Sequence, residues 1–183
     1  MRKPLAQDFF NRPADVVAKD LLGKYLVRRK DGAVCAHMIT ETESYDGYDD
    51  TTSHAARGKT RGNAPMFGAA GVFYVYLCYG MYWMLNVVTG AEGYPAAVLL
   101  RGVRGEKGIN GPGRLTRALD ISKRFSGEKA DKKTGLWFED RGVIVTPRGI
   151  KRTPRIGVGG TEEWARKPLR FVLSSKVKTQ SVK

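Results

Sequence analysis

Val72-Phe73-Tyr74-Val75-Tyr76-Leu77-Cys78, then Tyr79-Gly80, then Met81-Tyr82-Trp83-Met84-Leu85-Asn86-Val87-Val88-Thr89 is the stretch whose reading decides the fold. Aromatic and β-branched residues dominate both runs and a glycine lies between them, which predicts two β-strands joined by a tight turn. The turn carries Tyr79 at or near its tip. Downstream, residues 96–104 read as another strand, Gly111-Pro112-Gly113 opens a short helix running to Leu119, and 136–145 and 167–173 read as closing strands. Upstream, 24–29, the turn Lys30-Asp31-Gly32 and 33–43 form a second predicted hairpin. Val16, Val17, Leu21 and Leu22 recur at helical spacing within 14–22, and Gly23 offers a stop. Residues 44–71 are polar, glycine-rich and aperiodic. They predict a long ordered loop, and loops of that length inside compact domains are usually functional. The class is mixed α+β with sheet dominating.

The 183 residues suit one domain, and 42% hydrophobic with 10% aromatic content excludes a disordered chain. Cys35 and Cys78 are too few for a disulfide scaffold or a four-ligand zinc site, and are expected buried and reduced. The opening Met1-Arg2-Lys3-Pro4 has no apolar signal core and no apolar run is long enough for a membrane helix, so the expectation is a cytoplasmic protein without membrane contact. Net charge is +14, and it is uneven. Residues 1–100 hold 11 basic and 10 acidic residues, whereas 101–183 hold 21 and 8. Clustered positive charge favours a polyanionic partner, nucleic acid first, over a merely solubilising surface.

Against that balance, residues 41–50 (Glu-Thr-Glu-Ser-Tyr-Asp-Gly-Tyr-Asp-Asp) hold five acids. Strand alternation puts Glu41, Glu43 and Tyr45 on one face, with Thr42 and Ser44 on the other. A carboxylate at a strand end that opens into a loop suits a general base, and Glu43 is the candidate. Asp46, Asp49 and Asp50 read as a solvated turn. His54 lies in the same loop, while His37 reads as structural. The acids lack calcium-loop order and no HExxH or CxxC pairing exists, so no metal is expected. A tyrosine at a hairpin tip has nothing to bury it. If the partner is a duplex, Tyr79 becomes a wedge between bases. Two other readings stand beside a catalyst acting on DNA bases: a metal-dependent nuclease using Glu43, Asp46, Asp49 and Asp50, and a non-catalytic RNA- or DNA-binding module.

Three blocks, Glu41-Thr42-Glu43-Ser44-Tyr45, the segment Tyr74 to Tyr82, and Glu163-Trp164-Ala165-Arg166-Lys167-Pro168-Leu169-Arg170-Phe171, together resemble the alkyladenine (3-methyladenine) DNA glycosylase family. Met66-Phe67 and Asn110-Gly111-Pro112-Gly113 fit the same pattern, and the likeness runs from Asp8 to Leu173. The resemblance implies one α+β domain over 1–183, a curved antiparallel sheet with flanking helices and a protruding hairpin, and a frayed basic tail at 174–183. It implies a monofunctional glycosylase of base excision repair, cofactor-free and monomeric, that extrudes alkylated or deaminated purines from double-stranded DNA and leaves an abasic site. In its terms Glu43 activates the attacking water, aided by Arg101 and the Ile156 carbonyl. Tyr45, His54 and Tyr76 surround the extruded base, Asn86 disfavours a guanine-like amino group, Tyr79 fills the gap, and Met81 and Tyr82 contact DNA. Ser44 departs from the alanine common there, and residues 93–96 form a longer stretch than in animal members.

Overall fold

A computed structural model describes residues 2–104 and 109–174. In chain order the elements are β1 (Lys3–Pro4), α1 (Gln7–Phe10), α2 (Ala14–Asp20), β2 (Tyr25–Lys30), β3 (Ala33–Asp46), β4 (Phe73–Cys78), β5 (Tyr82–Val88), β6 (Ala96–Arg104), β7 (Ile109–Asn110), α3 (Pro112–Ala118), β8 (Leu136–Asp140), β9 (Ile150–Thr153), α4 (Glu162–Arg166) and β10 (Arg170–Leu173). The architecture is α+β around one large antiparallel sheet, ordered β1-β8-β2-β3-β6-β5-β4, with β10 joining β3 to β9 and β7 on β6.

The longest strand, β3, organises the sheet. Its first half pairs with β2 and its second half with β10, while β6 runs along its other side. A register irregularity between Ile39 and Thr42 marks the changeover. Such bulges bend a strand and re-aim the side chains that follow, and here those are Glu43 and Tyr45. In β6 every residue from Ala96 to Val103 is buried, as expected of a strand covered on both faces. One face packs on α2 and α3, where Phe10, Leu21, Leu26, Phe73, Leu85, Leu100, Leu115, Phe138 and Phe171 form the core. The other face carries the candidate site.

The strands near the hairpins match the sequence reading closely, and the differences lie at their ends. Strand β3 runs three residues past Glu43, so the loop begins at Gly47 and contains two short 3-10 turns, His54–Arg57 and Ala64–Phe67. Strand β8 stops at Asp140, where the Asp140 carboxylate accepts from the Gly142 amide at 2.8 Å and turns the chain. The expected strand at 167–173 begins only at Arg170, because Pro168 precedes it and α4 extends to Arg166. The two cysteines are free, as expected, but not buried: Cys35 is exposed and Cys78 half-buried, because both sit toward hairpin ends that reach solvent. Of the expected tail at 174–183, only Ser174 lies within the described residues, and its amide donates to the Gly149 carbonyl at 2.8 Å. Among the described residues no helix is long and apolar enough to cross a membrane.

Candidate active site

Register alone gathers the site. Cross-strand partners point to the same face of a sheet. Glu43 is paired with Leu99 and Tyr45 with Ala97 across β3 and β6. Leu99 is paired with Asn86 on β5, which is paired with Tyr74 on β4. Two residues farther along their own strands, Arg101 and Tyr76 share that face. Thr42 and Ser44 point the other way, toward the core, and the Thr42 hydroxyl donates to the Ala18 carbonyl at 2.8 Å.

Glu43 is fully buried. Its carboxylate nevertheless lies among donors from three residues. The Ile156 N–H reaches Oε1 at 2.9 Å and the Tyr45 hydroxyl reaches Oε2 at 3.0 Å. Arg101 brackets the group from longer range, with Nε 3.3 Å from Oε1 and Nη1 3.4 Å from Oε2. Arg101 is held back because its Nε also donates to Glu41 at 2.9 Å, and Glu41 in turn accepts from Arg170 at 2.7 Å. Burial outweighs these donors and pushes the Glu43 carboxyl above its ordinary range, with Arg101, the Ile156 amide and Tyr45 pulling it back. The Tyr45 hydroxyl is driven well above the usual tyrosine value, first by burial and then by the Glu43 charge, so it stays a donor.

In front of Tyr45 opens a cavity of about 430 Å³, within the usual range for small-molecule sites. Tyr45, His54, Tyr74, Tyr76, Asn86 and the backbone of Gly157 to Gly159 line it. The His54 and Tyr76 ring centroids lie 4.4 Å apart, and Tyr74 and Tyr76 lie 5.3 Å apart. His54 Nδ1 and the Tyr74 hydroxyl are 2.7 Å apart. Burial and the neighbouring Arg57 hold the imidazole below its ordinary pKa, hence neutral. Tyr74 has one proton and, among the described residues, no other acceptor for it. Where that proton goes to Nδ1 the ring keeps its own on Nε2; the other tautomer reverses the bond. The Asn86 amide nitrogen is committed to the Tyr74 and Met84 carbonyls, at 3.1 and 3.4 Å, which leaves its oxygen for the cavity.

At the lip stands the tip of the β4–β5 hairpin. The Met81 amide donates to the Cys78 carbonyl at 3.0 Å, and both central residues have positive φ, 52° at Tyr79 and 68° at Gly80, as a type I′ turn requires. Gly80 adopts this freely, whereas Tyr79 does so at a cost of roughly 1–2 kcal/mol. The Tyr79 ring is 83% exposed. Met81 and Tyr82 are exposed beside it, with the Tyr82 ring so close over Gly113 that a Cβ there would come within 2.7 Å.

The sequence profile of the methylpurine-DNA glycosylase family matches residues 8–177. The chain belongs to that family. It is thus an enzyme, a DNA glycosylase that hydrolyses N-glycosidic bonds, rather than a non-catalytic binding module. Among its relatives, a protein of Anaeromyxobacter sp. (strain Fw109-5) is 45% identical over 177 residues, covering 92% of this chain and 88% of its own. One from Methanocella arvoryzae is 41% identical over 184 residues, covering 91% and 90%, and one from Sodalis glossinidius is 46% identical over 158 residues, covering 84% and 89%. All three bear the provisional name 3-methyladenine DNA glycosylase.

Most residues singled out from the glycosylase sequence converge, but not in one layer. Tyr45, His54, Tyr76, Tyr79 and Asn86 line the cavity, whereas Glu43 lies behind it, one hydrogen bond away through Tyr45, with Arg101 against Glu43. Ile156 meets Glu43 through its N–H. Asp50 is where the sequence reading fails: it is fully buried, not solvated, because Arg155 grips it from 105 residues away. Nothing local in the sequence announces that contact. Glu41, which restrains Arg101, is placed on the Glu43 face by strand alternation, whereas its second partner Arg170 could be anticipated only from its membership of a recognised block. Among the described residues, no three His, Cys, Asp or Glu side chains gather as a metal-holding group.

Proposed function

We propose that this glycosylase releases 3-methyladenine and 7-methylguanine from double-stranded DNA, acting as a cytoplasmic or nucleoid-associated monomer. Hypoxanthine and ethenoadenine are slower substrates. A base inside a duplex shields its own glycosidic bond, so the nucleotide must be extruded, at a cost of a few kcal/mol that is least for damaged bases. Tyr79 fills the gap and restores stacking, flanked by Met81 and Tyr82 on the DNA. The base enters between Tyr45, His54 and Tyr76, with Asn86 screening its edge. Basic residues of the second half of the chain hold the backbone without regard to sequence.

Bond cleavage passes through an oxocarbenium-like state. A purine alkylated at N3 or N7 is already cationic and departs without a strong acid, so one carboxylate suffices. Glu43 takes the proton of the attacking water. The four contacts on its carboxylate differ in length, and the two long ones from Arg101 leave the side on which water enters, with Arg101 itself orienting that water. Neutral lesions need a proton on the leaving base, and among the described residues the cavity wall offers a neutral histidine, phenols pushed above their ordinary values, a thiol and a guanidinium, none of them a strong acid.

The observation that carries the reading is a fully buried, donor-ringed carboxylate one hydrogen bond behind an aromatic cavity, with an exposed tyrosine at its lip. The test is release of free base from methylated duplex DNA in the presence of chelator, wild type against Glu43→Gln. Free alkylpurine from the wild type alone is expected, with the strand left intact at an abasic site. Release by both proteins would move the base role elsewhere. Phosphodiester cleavage that chelator abolishes would point to the nuclease instead.

A further inference from the structure

Arg155 and Asp50 form the most deeply enclosed ion pair among the described residues, with both side chains 0% exposed. Nη1 donates to Asp50 Oδ2 at 2.6 Å and to the Ser44 carbonyl at 2.9 Å. Nη2 donates to Asp50 Oδ1 at 3.0 Å and to the Trp164 carbonyl at 3.3 Å. The guanidinium lies 4.7 Å from the centroid of the Tyr45 ring. Asp50 in turn accepts from the Thr52 amide and hydroxyl at 3.1 and 2.6 Å, and its carbonyl accepts from Ser53, the residue before His54.

Three points of this network adjoin residues of the site. Ser44 lies between Glu43 and Tyr45, and Arg155 immediately precedes Ile156, whose N–H is on Glu43. One guanidinium therefore ties the end of β3, the turn leading to His54 and the strand-to-helix segment of Ile156 to a common point. Stability is a poor explanation for such a pair. Buried ion pairs are often matched or bettered by apolar residues of similar volume, and here the Arg155 Nε is buried with no partner among the described residues, a further cost.

We infer that Asp50 and Arg155 are positioning residues: the pair fixes the Ile156 amide on Glu43 and the Tyr45 ring in the cavity wall, and so governs the hydrolytic step rather than DNA affinity. This rests on the function proposed above. Neither side chain reaches the cavity, so the pair acts only through its neighbours. Displacing a reacting group by about 1 Å can cost on the order of 10²-fold in rate.

Three variants test it. Arg155→Lys keeps the charge but cannot span Asp50, Ser44 and Trp164 together. Asp50→Asn keeps the shape. The double change Arg155→Met with Asp50→Leu replaces the pair by apolar bulk and is the variant most able to keep the fold. For each, the single-turnover rate of 7-methylguanine release is measured beside the Kd for a duplex carrying a tetrahydrofuran abasic analogue and the melting temperature. Expected is a rate loss of about 10- to 100-fold, a Kd within about threefold of wild type, and a double variant that melts near the wild type. Loosening Ile156 also moves the acid limb of the rate profile upward. The charged or titratable groups facing Glu43 there are Glu41 and Tyr45 from β3, Tyr76 from β4, Arg101 from β6 and Arg170 from β10. Folded variants with wild-type rates overturn the inference. So does a parallel loss of rate and affinity, or unfolding of all three, since the pair would then serve the fold alone. A wild type that releases no base sinks the proposed function itself, which separates the two failures.

Discussion

The floor of the site and its lip are built by opposite means. At the floor, Glu43, Arg101 and the Asp50–Arg155 pair are buried, Glu41 is half-buried beside them, and all are held by several contacts each. At the lip, Tyr79 and Met81 are apolar and exposed, and Tyr79 sits in a backbone conformation that tyrosine resists. The floor spends stability on preorganised charge, which is effective because the surroundings are dry. The lip spends it on presenting an unburied ring, which gains only when something covers it. On the proposed function, chemistry and DNA distortion fall to residues that scarcely touch one another, and variants should separate them.

The largest separation is expected at Glu43. Glu43→Gln should lower the excision rate by about 10²- to 10⁴-fold, the usual worth of a general base, while binding to abasic duplex stays near wild type. The same change should leave the melting temperature equal or higher at neutral pH. Burial raises the folded-state pKa of Glu43 above its unfolded value. Its favourable contribution is thus present below the unfolded pKa and lost as pH rises through the folded one. Glutamine removes that charge and still accepts from the Ile156 N–H. A melting temperature clearly below wild type would mean that Glu43 holds the floor together, and the comparison would fail.

The same shift fixes a pH dependence. On the proposed function excision needs ionised Glu43, so the rate should fall on the acid side with a midpoint above the ordinary carboxylate range. Affinity for the abasic duplex should not follow that limb. A midpoint at the value of a free glutamate would show that water already reaches the carboxylate.

Much of this division is legible in the sequence because strands and turns are local statements. The runs flanking Tyr79-Gly80 are dense in β-formers, and the alternation Glu41, Glu43, Tyr45 already puts three site residues on one face. The Asp50–Arg155 pair is not legible. Its members are 105 residues apart and are joined only because β10 places the segment before α4 against the end of β3. Asp50 in isolation has the composition of a solvated turn, and tertiary pairing overrides that. The ends of β8 and β10 were likewise set by a carboxylate turn and by a proline beside a helix, features that hydrophobic pattern alone does not weigh.

At the lip the expected effects are smaller and opposite in sign. Tyr79→Asn would place the residue that type I′ turns prefer before glycine, relieving about 1 kcal/mol of backbone strain and raising the melting temperature by about 2–4 °C. Loss of base–aromatic stacking, about 1–3 kcal/mol, should weaken abasic-duplex binding by about 5- to 150-fold. Stability up with affinity down is the signature of a residue shaped for its partner. Affinity unchanged would leave Tyr79 without a role in the duplex.

His54 sits between the two regions, and the smallest effect tests on which side it belongs. With Tyr74 donating to Nδ1 the ring proton sits on Nε2, and Tyr74→Phe, which removes that donor, lets the neutral ring exchange its two tautomers, so the variant tests that arrangement. A net hydrogen bond is worth about 1 kcal/mol, so a contact that depends on that proton should weaken about fivefold. Bases with an oxygen at C6, such as hypoxanthine, can accept it, whereas the amino group of 3-methyladenine cannot. The ratio of hypoxanthine to 3-methyladenine release should therefore drop by about that factor, with abasic-duplex affinity unmoved. A ratio that stays constant while affinity falls would make His54 part of the DNA-gripping lip, and the boundary between the regions would have to be drawn deeper, at Tyr45.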